Sequence, residues 1–278
     1  MRLARAVAHF EAGADFLIAF VVQDMMERLA AVNRTFDDGI ALFGRTSALV
    51  DAMRASAQIK NVIRVEEPNH IGKAELIAIP TVLGLEKESA DLILAPLNLH
   101  WSNDLPGTLI QLRQTLRPDG LLMAVLPGLD TLHELRSAMI QAESECSKGA
   151  AVRIDSFTDI KDAGALLQRT KYALPVVDQD LTIVRYDTAL DLIRDLRSFG
   201  ATAHLEDRDR PQLGRTVFRR MVEIYAERFS DEDGRIRASF NFVSMAAWSP
   251  GENQPQPLKP GSAKMRLADA LKTKEVKL

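Results

Sequence analysis

Between Asp91 and Leu126 the chain runs apolar, polar, periodic, polar and apolar again. Leu92–Leu99 is an apolar run of strand length, and His100-Trp101-Ser102-Asn103-Asp104 is a polar corner. Leu109, Leu112 and Leu116 then recur at helical spacing over about Pro106–Leu116. Asp104 is placed to cap that helix, with Pro106 in the first turn, where a missing N–H costs nothing. Arg117-Pro118-Asp119-Gly120 predicts a turn that stops it, and Leu121–Leu126 a second apolar strand. Strand, helix and strand in this order make a parallel βαβ unit, whose ligands lie beyond the carboxyl ends of the strands.

The same alternation extends in both directions. A helical pattern runs from about Ala4 to Val32, followed by a turn at Phe36-Asp37-Asp38-Gly39 and a first strand at Ile40–Phe43. Gly44-Arg45-Thr46 is a corner and Ser47–Ala57 a helix. Asn61–Val65 is a strand ending on Glu66-Glu67, and Leu76–Ile79 is a weaker strand. Beyond the opening unit, helices are expected at about Thr131–Ser147 and Ser156–Arg169, the latter capped by Asp155 or Ser156. The period-2 run Leu181–Tyr186 predicts an antiparallel edge strand. Two helices, about Thr188–Phe199 and Gln212–Ser230, precede a last strand at Arg235–Ala247. The elements predict an α/β fold: a doubly wound, mostly parallel, seven-stranded Rossmann-like sheet with an antiparallel last strand and a helical insertion between the last two strands. Residues 1–35 form a helical segment packing on the core, 36–248 the domain, and about 187–232 the insertion over its cleft. From 249 to 278, Pro250, Pro255, Pro257 and Pro260 predict a strap or tail.

Composition narrows the chemistry. A net charge of −3 gives no electrostatic case for nucleic acid. No apolar run reaches the length of a membrane span, and no signal-like leader is recognisable, so a cytoplasmic location is expected. The single cysteine, Cys146, excludes an internal disulfide framework. The five histidines show no metal-ligand spacing, and no metal site is expected. A phosphate-binding loop, a G-x-S-x-G elbow and a dinucleotide G-x-G-x-x-G turn are all absent. The insertion carries Arg194, Arg197, Arg208, Arg210, Arg215, Arg219 and Arg220 interleaved with acids, which reads either as a solvated face or as a docking surface for a protein partner.

The stretches LNLHWSNDLPGTLIQLRQTLRPDGLL, LIRDLRSFGA, YAERFSDEDGRIRASF and QPLKPGSAKMRLADAL, with the seven-strand order, carry a resemblance. The chain resembles class I S-adenosylmethionine (SAM)-dependent methyltransferases, in the methyltransferase-like family that includes the mitochondrial complex I assembly protein. More distantly it is similar to the malonyl-carrier-protein methyltransferase of biotin synthesis. The likeness runs from about Asp15 to Leu271. It implies a SAM site over a D-L-G-x-G-x-G turn, where this chain reads Ala41-Leu42-Phe43-Gly44-Arg45-Thr46-Ser47. The aspartate place holds Ala41 and the three glycine places hold Phe43, Arg45 and Ser47. Gly44 stands one position off.

The resemblance implies cofactor contacts at Phe43, Gly44, Glu66, Leu83, Leu97 and Asn98, with Glu66 on the ribose hydroxyls and Glu67 competing for that role. His100 is the candidate base, or else a packed corner histidine. Trp101 and Asn103 are candidate substrate contacts, with a core or lid aromatic as the alternative for Trp101. Three functions follow as expectations. They are methyl transfer to an unidentified small-molecule or protein acceptor, a non-catalytic assembly role for a respiratory complex, and protein arginine hydroxylation on the same scaffold.

Overall fold

A computed structural model of the chain describes residues 16–68, 70, 72–146, 158–198, 213–252, 254 and 255. The described helices are α1 (Phe16–Ala30), α2 (Ala48–Ala55), α3 (Leu105–Thr115), α4 (His133–Cys146), α5 (Ile160–Arg169), α6 (Ala189–Ser198) and α7 (Arg215–Phe229). The strands are β1 (Phe36–Leu42), β2 (Ile59–Glu66), β3 (Leu76–Ile77), β4 (Ala90–Pro96), β5 (Leu116–Pro127), β6 (Ala173–Tyr186) and β7 (Ile236–Trp248). They form one sheet in the order β3-β2-β1-β4-β5-β7-β6. β1 to β5 pair in parallel, and β7 lies antiparallel between β5 and β6. The chain leaves β1 toward β2 on one side and returns to β4 on the other. The switch point therefore lies beyond the ends of β1 and β4.

Both faces of the sheet are covered, as a buried parallel sheet requires. One side takes α1, α2, α4, α6 and α7, and the other takes α3 and α5. α1 presents Leu17, Ile18, Val21, Val22, Met25 and Leu29 to the first of these layers, while Phe20 stays exposed. α7 packs beside α4, with Arg220 on Glu145 at 2.6 Å and Arg228 on Gln141 at 2.7 Å. Arg208 and Arg210 lie outside the described residues, as do residues 1–15 of the N-terminal helical pattern and most of the strap. No described helix is long and apolar enough to cross a membrane.

Three local expectations change. Phe36-Asp37-Asp38-Gly39 is not a turn but the opening of β1. Both aspartate N–H groups donate to the Asp91 carboxylate at 3.1 Å, which holds polar residues in an extended strand. Gly39 leaves room for Ile59 and Met53, whose side chains stand 3.0 Å from where a Cβ would sit. Arg117–Gly120 does end the α3 pattern, yet it forms an irregularity inside β5, where pairing with β4 slips between the Ala90 and Leu92 partners. α5 starts at Ile160, later than expected, and its cap is Asp159, whose carboxylate accepts from the Lys161 N–H. Asp155 and Ser156 fall outside the described residues.

The α3 cap is as expected. The Asp104 carboxylate accepts the Gly107 N–H at 2.9 Å. A Cβ at Gly107 would sit 2.1 Å from the other carboxylate oxygen, so the glycine is what lets the cap close. Asp104→Ala is expected to lose about 1 kcal/mol of stability, read as a lower midpoint of urea unfolding with an unchanged slope.

Candidate functional site at the switch point

The carboxyl ends of β1, β2 and β4 converge on one cluster. The chain leaves β1 through Phe43 and Arg45 with φ of 51° and 60°, in the left-handed region that glycine occupies without strain. These are the glycine places of the sequence motif. Two of the three places therefore take a backbone shape that suits glycine while carrying other residues, and the third, Ser47, does not. The Phe43 N–H donates to the Val65 carbonyl at 2.8 Å, and its ring is fully buried in the α3-side core.

Glu66 closes β2 with only 1% exposure. Strand alternation puts Arg64 on the same face two residues earlier, and its Nε donates to Glu66 Oε1 at 2.8 Å. The second oxygen accepts the Arg45 N–H at 3.0 Å. Arg64 is 3% exposed and also donates to the Lys73 carbonyl. Burial pushes the Glu66 carboxyl above its usual range, and Arg64 pulls against that shift.

From β4, Asn98 is fully buried and donates to the Phe43 carbonyl at 3.1 Å and to Glu67 at 3.5 Å. Its Oδ1 accepts no hydrogen bond among the described residues. Leu97 stands beside it with φ 45° and donates to the Val125 carbonyl. His100 and Trp101 form a short 3-10 turn, their rings 4.9 Å apart and edge-on. Across the cleft, the Arg45 guanidinium lies 5.0 Å over the Trp101 ring. Burial lowers its pKa, outweighing attraction from Glu67 and Glu66.

Of the expected site residues, Phe43, Gly44, Glu66, Leu97 and Asn98 come together at the strand ends, and His100 and Trp101 face them. Leu83 is buried in the α3-side core that also holds Phe43, with its N–H donating to Gln111. Asn103 is exposed on the corner. Asp91 lies at the far end of the sheet, bound to the β1 opening and to Arg117. Sequence reasoning missed Arg64, although the i, i+2 spacing to Glu66 in a strand was available. Two cavities, about 280 and 400 Å³, lie elsewhere: one between α1 and β5–β7, the other at the amino ends of β1, β2 and β4. Among the described residues no group of three or more His, Cys, Asp or Glu side chains is placed to hold a metal.

This geometry does not fit SAM held in the way the fold implies. Of the two acids offered to the ribose, Glu66 is buried and accepts from Arg64 and from the Arg45 N–H, and the glycine places carry a phenylalanine and an arginine. Ala41 supplies no acid for the amino group.

The architecture is that of the class I methyltransferases. It matches a putative methyltransferase from Bacillus halodurans C-125 with a TM-score of 0.53 at 12% identity, over 82% of this chain and 98% of that one. It also matches YcgJ of Bacillus subtilis with a TM-score of 0.54 at 12% identity, over 83% and 98% of the two chains. In sequence the chain is a relative of the proteins named arginine-hydroxylase NDUFAF5, mitochondrial. It is 37% identical to that of Dictyostelium discoideum over 67% of this chain and 43% of the relative. It is 32% identical to that of Homo sapiens over 73% and 59%. A more distant similarity, 36% over 58% of this chain and 52% of the other, is to the malonyl-[acyl-carrier protein] O-methyltransferase of Xylella fastidiosa. The chain thus spans less than two thirds of the length of these relatives. No protein-family model matches it.

Proposed function

We propose that this protein serves respiratory complex I assembly as a methyltransferase-fold factor that works by binding a protein partner, without transferring a methyl group. The observation that carries this reading is the Glu66 carboxylate, buried and taken by Arg64 and by the Arg45 N–H. A ribose would have to share that acid with Arg64 and with the Arg45 N–H, at a carboxylate only 1% exposed. Kinship with the NDUFAF5 proteins supports the assembly setting. The exposed arginines Arg194, Arg197, Arg215 and Arg219 of α6 and α7 add a second surface suited to a partner.

Calorimetry tests the reading directly. Neither SAM nor its demethylated product is expected to give binding heat at ligand concentrations of about 1 mM, the weakest affinity of practical interest for a resident cofactor. Saturable heat at micromolar SAM would overturn the proposal and return methyl transfer to first place. In cells lacking the protein, the level of assembled complex I on native gels is expected to fall. An unchanged level would remove the assembly role.

A further inference from the structure

The switch-point cleft holds a cation that two acids attract but that forms no ion pair with a described residue. Arg45 sits on the loop between β1 and α2, and its guanidinium rests on the Trp101 ring. Its backbone N–H donates to Glu66, and its side chain forms no ion pair or hydrogen bond with a described residue. Glu66, the nearest acid by that contact, already belongs to Arg64. Glu67 attracts Arg45 from beyond ion-pair distance, and burial still wins. Arg45 is half-buried, and a partly desolvated guanidinium without an ion-pair partner among the described residues has an open edge that can take an anion. α2 begins three residues later without a side-chain cap from Ser47, and its positive end adds to the same field.

We propose that the Arg45 guanidinium, stacked on Trp101 at the mouth of the cleft, receives the carboxylate of an acidic side chain on the protein partner. The inference rests on the binding reading above and says where the partner docks. A carboxylate matches the planar two-pronged donor edge that stacking leaves open. A doubly charged phosphate is the poorer match, because Glu66 and Glu67 stand nearby and repel the second charge. Arginine and tryptophan are also both enriched among the residues that anchor protein interfaces.

The test uses the full chain carrying Trp248→Phe, so that Trp101 is the one tryptophan reporting by NMR of its indole N–H. The probe is N-acetyl-glutamic acid amide, whose only charge is the side-chain carboxylate, titrated beside N-acetyl-glutamine amide, acetate and inorganic phosphate. The glutamate probe is expected to shift the Trp101 signal saturably, with the glutamine probe silent and phosphate weaker. Arg45→Gln is expected to weaken that binding about tenfold or more, as loss of a charged, bidentate contact does. Arg45→Lys, which keeps the charge and loses the fork, should fall between and guards against a folding defect in the first variant. Equal titration of wild type and Arg45→Gln, equal effects of the glutamate and glutamine probes, or no shift in the wild type would each overturn the assignment. Acetate binding as tightly as the glutamate probe would overturn the protein source of the carboxylate. SAM calorimetry decides the binding reading separately. Heat there with an intact Arg45 effect removes the former alone, and silence there with no Arg45 effect removes the latter alone.

Discussion

Replacing Arg64 with leucine is expected to destabilise the protein by about 3–5 kcal/mol, the usual consequence of leaving one partner of a buried ion pair behind. Arg64 and Glu66 are 3% and 1% exposed, so solvent cannot take over the lost contact. The effect would be read as a lower urea midpoint with an unchanged slope. Its pH dependence identifies the group responsible. Burial already raises the folded-state pKa of Glu66 above the ordinary 4.5, with Arg64 opposing the rise. Without Arg64 the rise grows. A carboxyl whose folded pKa lies above its unfolded value favours folding when protonated and loses that contribution as pH climbs through the folded pKa. The destabilisation in Arg64→Leu should therefore be smallest in acid and largest at neutral pH. The double variant Arg64→Leu, Glu66→Leu removes both charges and is expected to lie near the wild type, because two apolar groups in that space need no pairing. A double variant as unstable as the single one would show that the loss came from Arg64 contacts other than Glu66.

How much of this was legible in the chain differs by the range of the interaction. The βαβ unit at 91–126 depends on local periodicity and on a cap three residues from its donor, and both are as the pattern implied. Asp-Asp-Gly at 37–39 resembles a turn because those residues usually supply one. What makes it a strand is the Asp91 carboxylate, more than fifty positions away, which no local window contains. The degeneration of the glycine motif was visible from residues 41–47 alone. Its consequence was not visible there. Arg64 reaches Glu66 inside one strand, and the alternation rule was enough to pair them. Arg45 meets Trp101 across the switch point, so their contact is set by the order of strands in the sheet.

The position where these two kinds of information collide is Phe43, and Phe43→Gly is expected to destabilise the protein by about 2–4 kcal/mol. Two effects oppose each other. With φ at 51°, phenylalanine is strained, and glycine would relieve on the order of 1 kcal/mol. The ring, however, is fully buried among the residues beneath α3, and removing a buried phenylalanine side chain costs roughly 3–5 kcal/mol. Burial wins. Urea unfolding checks the sign: a variant more stable than the wild type would mean that the ring packs poorly and that the turn is held in spite of it. The substitution restores a glycine to the first glycine place of the motif, yet it leaves Glu66 on Arg64. Calorimetry with SAM is therefore expected to stay silent in Phe43→Gly. If the variant binds SAM while the wild type does not, the ring and not the ion pair is what closes the cleft.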